Sequence, residues 1–158
     1  MVEYTGAWDP GAVASFLTDT AVPIRIACRT PQGNLWMLSL WFRYRDGDGD
    51  GDAAELHCAT AADADVVRYL RADPGVAFEV STNRPPYRGV RGRGSAVVER
   101  EGATETLRDL IERYLGDTDS DLARWLLSPD REEVRVRIRP EKLYSWDYSD
   151  RMPAVDDE

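Results

Sequence analysis

Several residue types are scarce in this chain of 158 residues. It has one histidine, His57, and two cysteines, Cys28 and Cys58, which stand apart with no C-x-x-C pair. This spacing indicates neither a disulfide framework nor a zinc site, so we expect two buried free thiols and no bound metal. No stretch of 18 apolar residues is present to span a membrane, and the first residues lack the basic and apolar regions of a signal peptide. We therefore expect a cytoplasmic protein with no membrane partner.

Basic residues are outnumbered by acidic ones. Lys and Arg together number 20, of which Lys142 is the single lysine, whereas Asp and Glu number 29 and the formal net charge is −9. Nucleic-acid binding is rewarded by clustered positive charge, so this balance argues against a nucleic-acid partner. An Asp-rich surface with almost no lysine also indicates a salt-adapted or GC-rich source.

The remaining composition is that of a globular domain. Hydrophobic residues make up 42% of the chain and charged residues 31%, and the length suits one hydrophobic core. We expect a single domain over residues 1–150, followed by a flexible acidic tail over residues 151–158.

Hydrophobic periodicity predicts a mainly β protein of the α+β class. Apolar residues that alternate with polar ones, or that fill both faces, predict six strands, at residues 24–29, 34–45, 55–60, 76–80, 90–100 and 134–146. Helical spacing with capping residues predicts helices at residues 9–18, 61–72, 104–115 and 122–126. Short turns between most strands favour an antiparallel barrel or sandwich with flanking helices.

Two predicted strands carry unusual patterns. The strand at 34–45 is apolar on both faces, so one face should line the core while the other meets a ligand, a helix or a partner subunit. The strand at 90–100 contains Gly92 and Gly94 on one face, which indicates the close approach of another backbone or of a ligand.

The predicted strand at 134–146 carries the alternating residues Arg135, Arg137 and Arg139. They indicate a solvated strand face that balances nearby acids.

The acidic segment at residues 46–52 alternates Asp and Gly and is similar to the start of a calcium-binding EF-hand loop. Counting from Asp46 places His57 where the loop needs a bidentate Glu, and counting from Asp48 places Ala53 where it needs Gly. We therefore interpret the segment as a solvated hairpin loop.

Four short strings occur in the order found in one known family. They are Thr30-Pro31-Gln32-Gly33 followed by Trp41-Phe42, then Leu70-Arg71-Ala72-Asp73-Pro74, then the segment from Pro86 to Gly94, and finally Lys142-Leu143-Tyr144-Ser145-Trp146-Asp147. Together they resemble the pyridoxamine 5′-phosphate oxidase-like FMN-binding split β-barrel family over roughly residues 20–148.

This resemblance implies a six-stranded antiparallel split β-barrel with flanking helices that forms a homodimer and binds FMN between its subunits. It further implies a flavin-dependent oxidoreductase acting on a small-molecule substrate, with deazaflavin or haem as alternative cofactors. The residues that it assigns to the cofactor are Leu38, Ser39 and Leu40 beside the flavin ring and Thr60 at the phosphate.

The chain departs from the family at one place. The family follows the phosphate-binding Thr with a basic S-R-K segment, whereas this chain has Ala64, Asp65 and Val66 there, with Asp63 nearby. The basic residues that could replace the missing ones are Arg68, Arg88 and Arg91, and Arg84 and Arg93 lie close to the last two in sequence. A non-catalytic split-barrel binding module that has lost FMN is the alternative function, and no side chain is nominated as a catalytic acid, base or nucleophile.

Overall fold

The structure is a computed structural model that describes residues 1–46, 53–153 and 155. Residues 47–52 of the predicted hairpin loop, and residues 154 and 156–158 of the predicted tail, lie outside the described residues. In the described part of the chain, no helix is both long enough and apolar enough to cross a membrane.

Twelve elements make up the described chain. The strands are β1 (Glu3–Gly6), β2 (Ile24–Arg29), β3 (Leu35–Leu40), β4 (Arg43–Asp46), β5 (Ala54–Ala61), β6 (Gly75–Ser81), β7 (Arg88–Glu99) and β8 (Glu133–Asp147). The helices are α1 (Pro10–Asp19), α2 (Asp65–Ala72), α3 (Ala103–Leu115) and α4 (Asp121–Leu126).

The strands form one curled sheet in the order β3-β2-β6-β7-β8-β5-β4, and β1 adds to β8 in parallel. All other pairings are antiparallel. The two end strands, β3 and β4, are separated in sequence only by Trp41 and Phe42. Because this short connection keeps the two ends of the sheet together, the sheet has to curl into a barrel. The predicted mainly β barrel with flanking helices is therefore confirmed.

The predicted number of six strands is wrong, because the described residues form a sheet of eight. The segment predicted as one strand over 34–45 is divided into β3 and β4 at Trp41 and Phe42. There the hydroxyl of Tyr114 on α3 accepts a hydrogen bond from the Phe42 N–H (3.2 Å) and donates one to the carbonyl of Val22 (2.8 Å). The backbone of Phe42 is thus bound to a helix instead of to a neighbouring strand. The other added strand, β1, is too short to show periodicity.

The start of α2 also differs from its prediction at residue 61. Strand β5 continues to Ala61, and α2 begins at Asp65 with Ala64 as an N-cap that makes no side-chain hydrogen bond. Thr60 therefore lies inside a strand and does not cap the helix. The N-caps of α1 and α4 agree with the sequence, since Asp9 accepts from the Ala12 N–H and Ser120 accepts from the Ala123 N–H.

The core fills the inside of the barrel. Strand residues that alternate with polar ones, such as Ile24, Ile26 and Cys28 on β2, point inward together with apolar side chains of α1 and α2. A second, smaller cluster lies outside the barrel, where Leu107 and Ile111 of α3 pack with Ala123 of α4. This second cluster packs α4 near the end of β3.

Gly92 and Gly94 confirm the predicted close approach, and the approaching backbone is that of β8. A Cβ atom at Gly94 would overlap the Arg139 carbonyl oxygen, and one at Gly92 would overlap the Lys142 carbonyl oxygen. The register of β7 against β8 shifts between Arg93 and Gly94. The glycines therefore permit a β-bulge at this point of the sheet.

Candidate functional site

A cavity of the described structure lies on the outward face of the sheet, and we call it the sheet cavity. Its volume is about 470 Å³. It is lined from β2, β3, β6, β7 and β8 by Arg25, Ala27, Met37, Ala77, Phe78, Glu79, Arg91, Gly92, Arg93, Lys142 and Tyr144. The small side chains of Ala27 and Ala77 and the backbone of Gly92 form a low apolar floor between longer side chains.

Positive charge surrounds this floor. The lining contains four basic side chains, Arg25, Arg91, Arg93 and Lys142, and one acid, Glu79. Glu79 pairs with Arg91 (Oε2 to Nε, 3.5 Å), whereas Arg25 and Arg93 have no ion-pair partner among the residues that the structure describes. A chain of net charge −9 thus contains a cavity with a local excess of positive charge, which favours an anionic ligand.

Arg91 is held over aromatic rings. Its guanidinium carbon lies 4.1 Å from the ring centre of Trp146 and 5.8 Å from that of Tyr144. Such cation–π contacts fix the orientation of the guanidinium group and leave its other N–H groups free to donate.

One rim of the sheet cavity is apolar and exposed. Met37 on β3 is 65% exposed and Tyr144 on β8 is 42% exposed, and Leu35, which lies outside the lining on the same face of β3, is 75% exposed. The sequence predicted that both faces of this strand would be covered, and within the single chain its outer face is open. Open apolar side chains on a sheet face are typical of a surface that contacts a partner.

The second cavity lies between the ends of β3 and β5 and the helices α3 and α4, and we call it the α4 cavity. Its volume is about 420 Å³. Its lining consists of Pro23, Ser39, Leu40, Trp41, Ala59, Thr60, Ala61, Leu107, Leu110, Leu122, Leu126, Arg131 and Glu133. The two cavities share no lining residue, although β3 contributes to both.

The charged residues of the α4 cavity are bound to each other. Arg131 donates to Glu133 from Nε (3.2 Å) and from its terminal nitrogen (2.8 Å), and its guanidinium carbon lies 4.2 Å from the ring centre of Trp125. The wall on the β3 side is Trp41, whose ring stacks on Tyr114 with a centroid separation of 5.0 Å and an interplanar angle of 6°. The walls of this cavity are thus apolar and held in place by the fold.

A network of ion pairs occupies the outer face of β5, β7 and β8. Arg135 and Arg137 both donate to Glu99, and Arg137 and Arg139 both approach Glu55. Although burial alone would raise the pKa of Glu99, hydrogen bonds and charge from Arg135 lower it below its ordinary value. The arginines of β8 thus balance acids on the strand face, as the sequence indicated.

His57 and Cys58 line neither cavity. Burial lowers the pKa of His57, partly offset by its hydrogen bond to Glu55 (3.3 Å), and burial raises the pKa of Cys58 to about 12. The thiol therefore stays protonated and is no nucleophile. The described residues contain no group of three His, Cys, Asp or Glu side chains that could hold a metal ion.

The predicted cofactor residues do not line a single cavity. Ser39, Leu40 and Thr60 line the α4 cavity, and Arg91 lines the sheet cavity. Leu38 is half-buried and packs on the barrel core.

Two of the predicted arginines lie away from both cavities. Arg68 is exposed on α2, where it pairs with Asp65 at 3.4 Å. Arg88 is exposed at the first position of β7, opposite Asp147 of β8. Their assignment to a cofactor stays a prediction.

Several lining residues were not predicted from the sequence. Arg25 and Lys142 come from distant strands and meet Arg91 and Arg93 only through strand register. The available signal was the alternation of Arg25 with the buried Ile24 and Ile26, which places Arg25 on the outward face. The leucines of α3 and α4 had the signal of an apolar stripe, which is equally typical of core residues.

No protein-family model and no curated protein sequence matches the chain. Solved structures do match. A conserved hypothetical protein of Mycobacterium tuberculosis, Rv2991, has a TM-score of 0.75 at 22% identity, covering 100% of this chain and 97% of that one. An F420 reductase has a TM-score of 0.61 at 22% identity, covering 82% of this chain and 93% of that one.

A candidate pyridoxamine 5′-phosphate oxidase from Listeria innocua has a TM-score of 0.61 at 14% identity, covering 86% of this chain and 96% of that one. At these identities the likeness concerns the fold. The chain therefore has the split-barrel fold of the pyridoxamine 5′-phosphate oxidase-like proteins, as the sequence strings indicated.

Proposed function

We propose that this protein is an oxidoreductase that binds a flavin-type cofactor, either a flavin or a deazaflavin, and acts on a small molecule. The observation that carries the proposal is the sheet cavity, where a low apolar floor lies among four basic side chains. A flat apolar ring with an anionic tail matches this combination of shape and charge. An F420 reductase is among the proteins that share the fold, which supports the same cofactor class.

The residues of the sheet cavity would hold such a cofactor in separate ways. The small side chains of Ala27 and Ala77 leave room for a ring against the sheet. Arg25 and Arg93, which have no ion-pair partner among the described residues, would donate hydrogen bonds to the anionic tail. The bound cofactor would supply the electron transfer, and the protein would supply binding, orientation and charge.

The phosphate position implied by the family resemblance fits less well. Thr60 lies among apolar walls, the nearest basic side chain lining its cavity is Arg131, and Arg131 is occupied by Glu133. Asp63, Asp130 and Glu132 line a neighbouring depression and add negative charge. The surroundings of Thr60 therefore do not fit a phosphate group.

A non-catalytic binding module is the second candidate. The observation that favours it is this same lack of a free basic group beside Thr60 in the described structure. In that case the sheet cavity would bind an anionic ligand that undergoes no redox chemistry. Haem is a weaker candidate, because the described lining of the sheet cavity has neither a histidine nor a cysteine as axial ligand and would have to use Tyr144 or Met37.

Titration with FMN, FAD and F420, each followed by difference absorbance, tests the proposal. We expect saturable binding of at least one of them, and we expect Arg93→Ala to weaken it about ten- to a hundred-fold, the effect of one charge-assisted hydrogen bond. Arg139→Ala is the matched control, because Arg139 is a strand arginine outside the cavity that contacts Glu55. If none of the three cofactors binds, or if both variants lose affinity equally, the proposal is wrong.

Reduction of the bound cofactor separates the two candidate functions. An oxidoreductase should pass electrons between its cofactor and a small molecule, which a substrate screen would detect as a change in cofactor absorbance. A binding module would bind the cofactor or another anion without this change.

We also propose that the protein forms a homodimer through the outer face of β3. The exposed Leu35 and Met37 and the open side of the sheet cavity are the support, since a second copy would cover both.

A further inference from the structure

The α4 cavity differs from the sheet cavity in its chemistry. Its volume of about 420 Å³ lies within the range of small-molecule sites, and four leucines of α3 and α4 form one side of its wall. Leu122 is 46% exposed at its mouth, so the cavity opens to solvent beside α4.

Charge disfavours an anion in this cavity. The positive charge of Arg131 is bound by Glu133 at 2.8 Å and faces the Trp125 ring. The depression next to it is lined by Asp63, Asp130 and Glu132. A phosphate or carboxylate placed near Thr60 would lose its hydration and meet carboxylates, with no free basic group among the described lining residues to compensate.

A cation is also poorly matched to the interior of the cavity. Glu133 is the one carboxylate in its lining as described, and it is already paired with Arg131. An apolar molecule could therefore pack against the walls of this cavity. Its described lining has no unpaired charge that would bind an ionic group.

Two hydroxyl groups remain available in the cavity. Ser39 and Thr60 both line it, and the side chain of neither has a hydrogen-bond partner within the described residues. The flat ring of Trp41, backed by Tyr114, forms another part of the wall. This set resembles a typical small-molecule site, in which a few polar groups orient a mainly apolar ligand.

We propose that the α4 cavity is a binding site for an uncharged aromatic or alicyclic molecule, which packs against Trp41 and the leucines and hydrogen-bonds to Ser39 or Thr60. This inference goes beyond the proposed function, because it concerns a cavity that shares no lining residue with the sheet cavity. It also gives Thr60 a role different from the phosphate contact that the family resemblance implies.

The uncharged fluorophore N-phenyl-1-naphthylamine tests the site, because its emission rises in apolar surroundings. We expect saturable binding to the full chain, and we expect Leu122→Glu to weaken it at least ten-fold by placing a charge at the mouth. Arg124→Glu is the matched control, since it puts the same residue on an exposed position of the same helix outside the cavity. Leu122→Gln repeats the test with a neutral residue should the first variant fail to fold.

Two further measurements locate the bound fluorophore. Met37→Glu alters the exposed rim of the sheet cavity and should leave the affinity unchanged. Inorganic pyrophosphate should not displace the fluorophore. The proposal is overturned by an absence of saturable binding, by equal affinities of wild type and Leu122→Glu, by loss of binding in Met37→Glu, or by displacement with pyrophosphate.

Flavin titration of the same variants keeps the two proposals apart. Leu122→Glu should bind flavin or deazaflavin as the wild type does, whereas Arg93→Ala should keep its affinity for the fluorophore. Failure of either proposal would therefore leave the other measurable.

Discussion

His57 illustrates how burial changes the chemistry of a single residue. It is 7% exposed on β5 and lies opposite Arg43 of β4 and Arg137 of β8 in the sheet register. Burial lowers its pKa, and the nearby arginines Arg135 and Arg45 act in the same direction, while Glu55 partly offsets them. The fold therefore favours the neutral ring, and His57 serves the packing of the sheet.

This burial predicts a pH dependence of stability. Because the pKa of His57 is lower in the folded chain, the unfolded chain binds more protons below about pH 6.5, so the free energy of unfolding should fall as pH decreases from there toward the folded pKa. Above about pH 6.5 this contribution is constant. Urea unfolding of wild type and His57→Gln at several pH values between about 5 and 7.5 measures it.

The variant should show a flatter profile over that window than the wild type. Glu99, whose lowered pKa does not depend on His57, acts in both proteins at lower pH and cancels in the difference, whereas Glu55 hydrogen-bonds to His57 and its contribution belongs to the difference. Parallel profiles for the two proteins would show that His57 takes up a proton equally well in both states.

The backbones of β7 and β8 approach each other closely at Gly94. The backbone of β8 occupies the position that a side chain would need, next to the Arg139 carbonyl and Pro140. We expect Gly94→Ala to lower the free energy of unfolding by about 1–3 kcal/mol, the usual cost of overpacking.

Gly11→Ala provides the comparison for this substitution. Gly11 lies exposed in the first turn of α1 with an ordinary φ, and the nearest atom to an added Cβ is a carboxylate oxygen of Asp9 at 3.5 Å. Alanine there should be neutral or stabilise by up to about 1 kcal/mol. Chemical denaturation of both variants measures the difference, and a loss in Gly11→Ala as large as that in Gly94→Ala would contradict the explanation.

The elements that could be predicted from the sequence are those with local signals. Alternation fixes β2, and an Asp9 cap and a Ser120 cap mark the starts of α1 and α4. The division between β3 and β4 could not be predicted in this way. It depends on the hydroxyl of Tyr114, which lies 72 residues from Phe42 in sequence.

The candidate site also combines residues that the sequence predicted with residues that only the tertiary structure brings together. Arg91 was predicted as a possible replacement for the missing basic segment, whereas Arg25 and Lys142 join it only when β2, β7 and β8 pair in register. The α4 cavity depends on how α3 and α4 pack over the end of β3. An apolar stripe in the sequence predicts that a helix is buried on one side, and it does not predict the space left beneath it.

At the scale of the whole molecule, the distribution of charge matters more than its sum. The net charge is −9, yet the sheet cavity has four basic side chains and one acid. In a symmetric dimer formed through this face, the basic side chains of the two copies would come near one another. An anionic cofactor held between them would lower this repulsion, so cofactor binding and dimer formation should favour each other.

Light scattering tests the dimer directly. The wild type should have about twice the chain mass of 17.8 kDa, and Met37→Glu should shift it toward the monomer, because a charged group would replace an exposed apolar side chain that the interface would cover. Leu122→Glu makes the same chemical change on α4, outside the sheet face, and should remain a dimer. Repeating the measurement with saturating flavin or deazaflavin should lower the concentration at which the dimer forms. A wild-type monomer at all concentrations, with or without cofactor, would show that the exposed face of β3 is not an interface between copies of this chain.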